Sequence, residues 1–519
     1  MVDPLLFSGR KMTVFSLLLS ILVSAIGADG WTVLKPSADS RVVYVSSSMG
    51  VDTNDGLTEA TPVRTLPKAI TLVRNDMPDW VLLKKGDVFP PGVADFRYPG
   101  YIEWKKGGRS AAEPMVVSSY GSGERPVLNG TCLFAMASNE AVGFSLDNLS
   151  FVGVAFHADN RAHLAQDDPY RLGNTNALKF FGGQTNILIE DCEMVGYNTP
   201  LRFSGGTLPA TGITIRRNAI YDNEELGIYI AGADHLLIEE NIWDHNGFQN
   251  GVATKFNHNI YVKEVVNTTI RRNIISRGSN FGVKLSSDKP GGVTDFVIED
   301  NLFYDNGIGL DHSAGSSGDV MTTFTHQRGV IRGNVFTERV RTQSLVGWLL
   351  NTEDVLWEAN IYTHNQTNPL NPNVALIWTE HHRNVTLKDN IVWDWPNGGH
   401  DTLAENATRF VDGFVETGRQ EGVAAASYSD PNRTTGTFYA SLGGVNDATA
   451  FIESRKAMSR DSWDSRFHDG AEYFAAGFLP ASVPPVEPPV DPPRDFSRLE
   501  SALIAAAREF LAIMEDAEQ

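Results

Sequence analysis

The sequence is poor in the features that mark several broad protein classes. Cysteine occurs twice, at Cys132 and Cys192. The two thiols have the option of pairing, but one bridge is not a disulfide framework. Basic residues are outnumbered, with 43 Lys and Arg against 63 Asp and Glu and a net charge of −20. That argues against a general nucleic-acid or anionic-membrane binder, since both need a basic surface. Long apolar runs are scarce. The one that stands out, "VFSLLLSILVSAIGA", falls short of the roughly 20 residues of a membrane span. It follows "GRK" and ends among the small residues Ala25, Gly27 and Ala28. This pattern predicts a secretory leader over residues 1–28, with Met12 as an alternative start. The mature chain is then expected outside the cell, or in the periplasm of a bacterium, with no membrane span left. Sequons at Asn129, Asn148, Asn267, Asn365, Asn384, Asn406 and Asn432 fit an exported protein.

What is present is enough apolar residue, 42%, for a sizeable core, and a repeat. "ITIRRNAIYDN", "LLIEENIWDHN", "TTIRRNIISRG", "FVIEDNLFYDN", "GVIRGNVFTER", "VLWEANIYTHN" and "VTLKDNIVWDW" share an alternating strand, an Asn and a second apolar pair. The Asn residues are Asn218, Asn241, Asn273, Asn301, Asn334, Asn360 and Asn390. A unit of strand, turn and strand without an amphipathic helix buries its apolar face only by stacking on its neighbours. The pattern predicts a solenoid of parallel strands, with the recurring Asn as a stacked amide ladder and not a catalytic motif.

These repeats resemble the coils of right-handed parallel β-helix proteins, the pectate-lyase-like superfamily. "YVSSSMGVDTNDGLTEATPVRTLPKAI" and "PMVVSSYGSGERPVLNG" look like the opening segments of such secreted proteins, and "SRDSWDSRFHDGAEYFAAGF" like their closing segment. The resemblance implies an all-β fold, a right-handed parallel β-helix over residues 29–480, its coils running from about 41 to 478. A Pro-rich linker, 481–495, and a short C-terminal α-helix, 496–519, follow. The superfamily holds lyases, hydrolases, epimerases and adhesins, so fold alone does not choose the reaction.

The strand after each Asn turn reads "ALKFFGG", "PLRFSGG", "GIYIAGA", "NIYVKEV", "GVKLSSD" and "GLDHSAG". Side chains alternate along a strand. With the apolar pairs inward, Lys179, Arg202, Tyr229, Tyr261, Lys284 and Asp311 form one outward column, and "ALIWTEHH" continues it with Trp378. At about 4.8 Å per coil, the six residues make a stripe on the order of 24 Å long. Cations pair with carboxylates and aromatic rings offer sugars a flat apolar face, so the stripe fits an extended acidic polysaccharide. Ionisable residues stand four positions after each Asn (Asp222, His245, Arg277, Asp305, Glu338, His364 and Asp394); with Glu224, Glu225 and His258, groups of both signs are expected to converge on the coils around Tyr229, Tyr261 and Lys284.

The chemistry that fits is β-elimination on a uronate polymer. It requires a cation or Ca²⁺ to neutralise the carboxylate, a base for the C5 proton and an acid for the departing O4. Lys284, with Arg277 near it to lower its pKa, is the expected base and Tyr261 the proton donor, or Tyr261 is the base where Lys284 instead neutralises the carboxylate. Arg202 or His258 would hold the carboxylate. Alginate lyases and chondroitinase-B-like enzymes resemble the chain in placing a strand Lys outward; in them an Arg of a neighbouring coil acts as acid, where this chain offers Asp311 and His312. Two other readings remain: a glycoside hydrolase using two of Asp222, Glu224, Glu225, Asp305 and Asp311, and a noncatalytic glycan-binding solenoid. The polygalacturonase-like set N-T-D, D-D, G-H-G and R-I-K does not occur in order.

Overall fold

The computed structural model describes residues 26–27, 30–90, 101–130, 132–136, 147–158, 176–204, 209–249, 251–254, 256–288, 292–307, 318–323, 326–338, 345–350, 352–364, 377–380, 382–395, 412–421 and 423–481. The expected leader, the Pro-rich linker and the C-terminal helix lie outside these, apart from a few bordering residues.

Apart from one small hairpin, Phe248–Gln249 with Val252–Ala253, successive strands do not pair with each other; each pairs in parallel with its counterpart one coil away. Three strand rows result. Face A runs from Tyr101–Trp104 through Leu178–Phe181 and Leu201–Phe203 to Ile377–Glu380. Face B runs from Val42–Val45 through Thr185–Glu190 to Asp412–Thr417, and face C from Val88–Phe89 to Gln420–Glu421. In the coils Ile228–Glu239 and Ile260–Arg271, one long strand serves both A and B. The alternating apolar residues, among them Ile228, Ile230, Ile260, Val262, Val283 and Leu285, turn inward and form one continuous core.

The repeated Asn forms the expected buried line. From Asn218 to Asn390 each Nδ2 donates to the Oδ1 of the next coil's Asn at 2.9–3.2 Å. The ladder satisfies backbone groups that the corner between B and C would otherwise orphan. A second ladder was not anticipated. Asn223, Asn246, Asn259, Asn306 and Asp319 link in the same way at the corner leading into face A. Asn259 therefore points inward, although strict alternation with Tyr261 predicted it outward; the chain is still turning there.

On face B one outward column alternates in sign: Glu190, Arg216, Glu239, Arg271, Glu299, Arg332, Glu358 and Lys388 occupy consecutive coils. Face C is covered. Its outward Ala219, Ile242, Ile274, Leu302, Val335 and Ile361 pack against Phe438, Phe451, Phe467 and Phe474. These phenylalanines belong to helices α2 (Thr435–Ser441), α3 (Ala448–Lys456) and α4 (Gly470–Gly477) and to a short 3₁₀ turn, α1 being Leu66–Leu72. The coils thus end at Glu421, short of the expected 478, because Thr434 and Asp447 cap helices where further strands were expected. Among the described residues no helix is long and apolar enough to cross a membrane.

An N-terminal strap ties this cap to the coils. Trp31 is buried, with Arg217 4.4 Å and Arg460 5.3 Å from its ring and Trp463 edge-on at 5.3 Å. Trp31→Ala is expected to cost about 3 kcal/mol, as for other buried aromatics. An unchanged denaturant midpoint would mean that the strap is not part of the cooperative unit.

Candidate functional site

Backbone pairing fixes the outward column of face A. Lys179 pairs with Arg202, Arg202 with Tyr229, Tyr229 with Tyr261, and Tyr261 with Lys284. Parity forces the column outward, since the flanking residues of each strand are buried in the core. The next position belongs to Met321, then Trp348, then Trp378. Asp311 lies outside the described residues, and Met321 takes the place expected for it. Both "GLDHSAG" and "GDVMTTF" offer an apolar–x–apolar strand, so pattern alone could not choose between them. Met321 and Trp348 are therefore stripe residues that sequence reasoning missed. The alternation of "VMT" and "LVGWLL" was the available signal.

The side chains stack. Arg202 lies 5.0 Å from the Tyr229 ring and donates Nε to Ser204 Oγ at 3.1 Å. Tyr229 meets Tyr261 edge-on, centroids 5.2 Å apart. Lys284 Nζ sits 4.8 Å from the Tyr261 centroid. Lys263, two residues past Tyr261 on the same outward face, is ion-paired with Asp288. Lys284 is largely desolvated and makes no ion pair among the described residues. Burial first, and then repulsion from Lys263, lower its amine below the ordinary lysine value. Burial raises the Tyr229 phenol.

Two expected members of the site lie elsewhere. His258 is wholly buried beneath the stripe and not at its edge. Its Nδ1 accepts the Phe281 N–H at 3.2 Å, and its ring stands 5.5 Å from Tyr261, nearly perpendicular. Burial, helped by the Lys284 charge, holds the imidazole well below its usual pKa, so it is neutral and walled off from any bound polymer. Arg277 occupies a left-handed corner position, φ 46°, between faces C and A. It donates Nε to the buried Asp244 at 2.8 Å and reaches Glu453 of α3. It faces the helical cap and does not tune Lys284. The same conformation recurs at Asp222, His245, Asp305, Glu338, His364 and Asp394, so that column is a row of corner residues. Asp222 is paired with His245 at 2.7 Å.

A cavity of about 350 Å³ opens on face B, floored by Leu188, Thr214, Leu237 and Thr269. The charges on its wall neutralise one another, as in Arg216 with Glu190 and Glu239, and it offers no aromatic side chain larger than His235. It lacks the stacked cations and rings of face A. Among the described residues no three His, Cys, Asp or Glu side chains gather as a metal site would require. Among the described residues the stripe's donor set does not suit Ca²⁺, and its charge-neutralising groups are cationic side chains. Cys192 is a free, buried thiol pushed up to about 12 by burial.

Residues 173–326 match the family model for the right handed beta helix region. The chain is a right-handed parallel β-helix. Among characterised proteins compared by sequence, none matches. Solved structures share the β-helix at low identity. Lacto-N-biosidase from Eubacterium ramulus is 13% identical over 73% of this chain and 68% of its own, with a TM-score of 0.45. A pectate lyase is 14% identical over 80% and 87%, with a TM-score of 0.42. An alginate lyase from Paenibacillus is 13% identical over 73% and 99%, with a TM-score of 0.40.

Proposed function

We propose that this β-helix is a secreted polysaccharide lyase that cleaves a uronate-containing polymer by β-elimination. The observation that carries the proposal is Lys284: a desolvated amine of lowered pKa, without an acidic partner among the described residues, stacked on Tyr261 in a cationic and aromatic stripe. Arg202, whose terminal nitrogens have no partner among the described residues, binds the uronate carboxylate and stabilises the charge that develops as C5 is deprotonated. Neutral Lys284 takes the C5 proton. The electron pair forms the C4–C5 double bond, the C4–O4 bond breaks, and Tyr261 protonates the departing O4. Tyr229 and Lys179 bind neighbouring sugars. His258 acts through Tyr261 as a buried support, not as an acid or base.

The test is incubation with a panel of uronate polymers, following ultraviolet absorbance of unsaturated ends alongside new reducing ends. Both should rise together. Reducing ends without absorbance would sink the lyase reading in favour of a hydrolase. The carboxyl to examine next would then be Glu224, raised by burial and by Glu225 in the turn leading into Tyr229.

A further inference from the structure

The stripe changes character at one coil boundary. On one side of it lie Lys179, Arg202, Tyr229, Tyr261 and Lys284, with Lys263 in the flanking row. On the other lie Met321, Trp348 and Trp378. The flanking row changes too: Ala231, Lys263 and Ser286 occupy it in the cationic coils, whereas Leu350 and Glu380 are paired in the last two coils. A uronate laid over the second half would meet the half-buried Trp348 beside the buried Met321, with no cation in that column. Burying its charge there without a partner would be costly. The indole Nε1 of Trp348 is itself buried without a hydrogen-bond partner.

We infer that the stripe binds a mixed polymer, with charged uronates over the Lys179–Lys284 half and uncharged sugars, neutral or esterified, over the Met321–Trp378 half. This rests on the lyase reading for the placement of the reacting uronate at Lys284; the binding pattern itself does not require turnover. An uncharged pyranose presents a C–H face to Trp348 and leaves no charge to desolvate. Lys284, the last cation before the boundary, thus places the reacting uronate next to it. The bond broken is one between a charged and an uncharged residue.

The experiment measures binding by calorimetry to the full-length Lys284→Ala protein, so that ligand persists. The ligands are galacturonan, alginate and glucuronan oligosaccharides, each with none, half or all of the carboxyls methyl-esterified. For the polymer class that binds, the half-esterified form should bind about 10-fold tighter than the fully charged one, a difference of about 1.4 kcal/mol. Adding Trp348→Ala should erase that advantage, Trp348→Phe should retain most of it, and Arg202→Ala should weaken the charged form most. A cooperative melt for each variant controls for folding. The inference is overturned if the fully charged form binds tightest, if Trp348→Ala weakens every form equally, or if no form binds. Binding in the expected pattern, with no unsaturated ends formed by the unsubstituted protein, would sink the lyase reading alone.

Discussion

Lys284→Ala is expected to lower turnover by about 100-fold or more, the usual contribution of a positioned acid–base group, while substrate affinity changes by only a few-fold. The amine is desolvated and makes no ion pair among the described residues. Lys284→Arg should not restore activity, because a guanidinium stays protonated and cannot accept the C5 proton. The sign of the pH dependence follows from the same shift. The neutral amine is the active form, so the rate should rise with pH and level off below the range of an ordinary lysine. Lys263→Gln removes the repulsion that helps to depress Lys284 and leaves Asp288 uncompensated, so the rising limb should move to higher pH. Stability runs the same way. A lysine whose folded pKa lies below its unfolded one costs stability while protonated, and the cost is relieved as pH rises through the folded value toward the unfolded one. Lys284→Met should therefore raise the melting midpoint at neutral pH while abolishing turnover. Full turnover in Lys284→Ala would end the mechanism proposed here.

The largest loss of stability is expected at the middle of the amide ladder. Asn273 Oδ1 accepts both the N–H and the Nδ2 of Asn241, at 3.1 and 3.0 Å. Its Nδ2 donates to the carbonyls of Ile238 and Arg271 and to Asn301 Oδ1. Asn273→Ala leaves several of these groups buried and unpaired, at about 1–3 kcal/mol each. A total of about 4–6 kcal/mol is expected, read from denaturant unfolding of the full chain. Asn273→Asp restores the acceptor but not the donor and buries a charge, so it should rescue little. A loss below about 1 kcal/mol would mean that water replaces the ladder without penalty.

The first ladder was legible in the sequence because the same residue recurs at the same place after the same alternating strand. The second was not. Its members are separated unevenly, since the corner into face A takes insertions such as the hairpin pairing Phe248–Gln249 with Val252–Ala253, and it ends in Asp319 instead of an amide. For the stripe, alternation was enough to place Lys179 through Lys284, because buried Leu, Phe, Ile and Val on both sides leave each middle residue one direction. It failed one coil later, where two segments compete for a strand and only backbone pairing reveals that Met321 wins. His258 and Arg277 were misplaced for another reason. Both are corner residues, outside the two-residue period, so a left-handed φ at Arg277 and the turn before Ile260 decide where their side chains go.

The alternating charges of face B have a consequence for how such a chain threads. Coils that look alike invite the strand of one to dock on the wrong neighbour, leaving a coil out. Skipping one coil would bring Glu190 against Glu239, or Arg216 against Arg271, and like charges on adjacent strands repel. Skipping two would restore opposite signs. The column from Glu190 to Lys388 therefore works as a parity check written along the solenoid: it rejects the omission of a single coil and passes only even ones, which must leave out twice as much buried core.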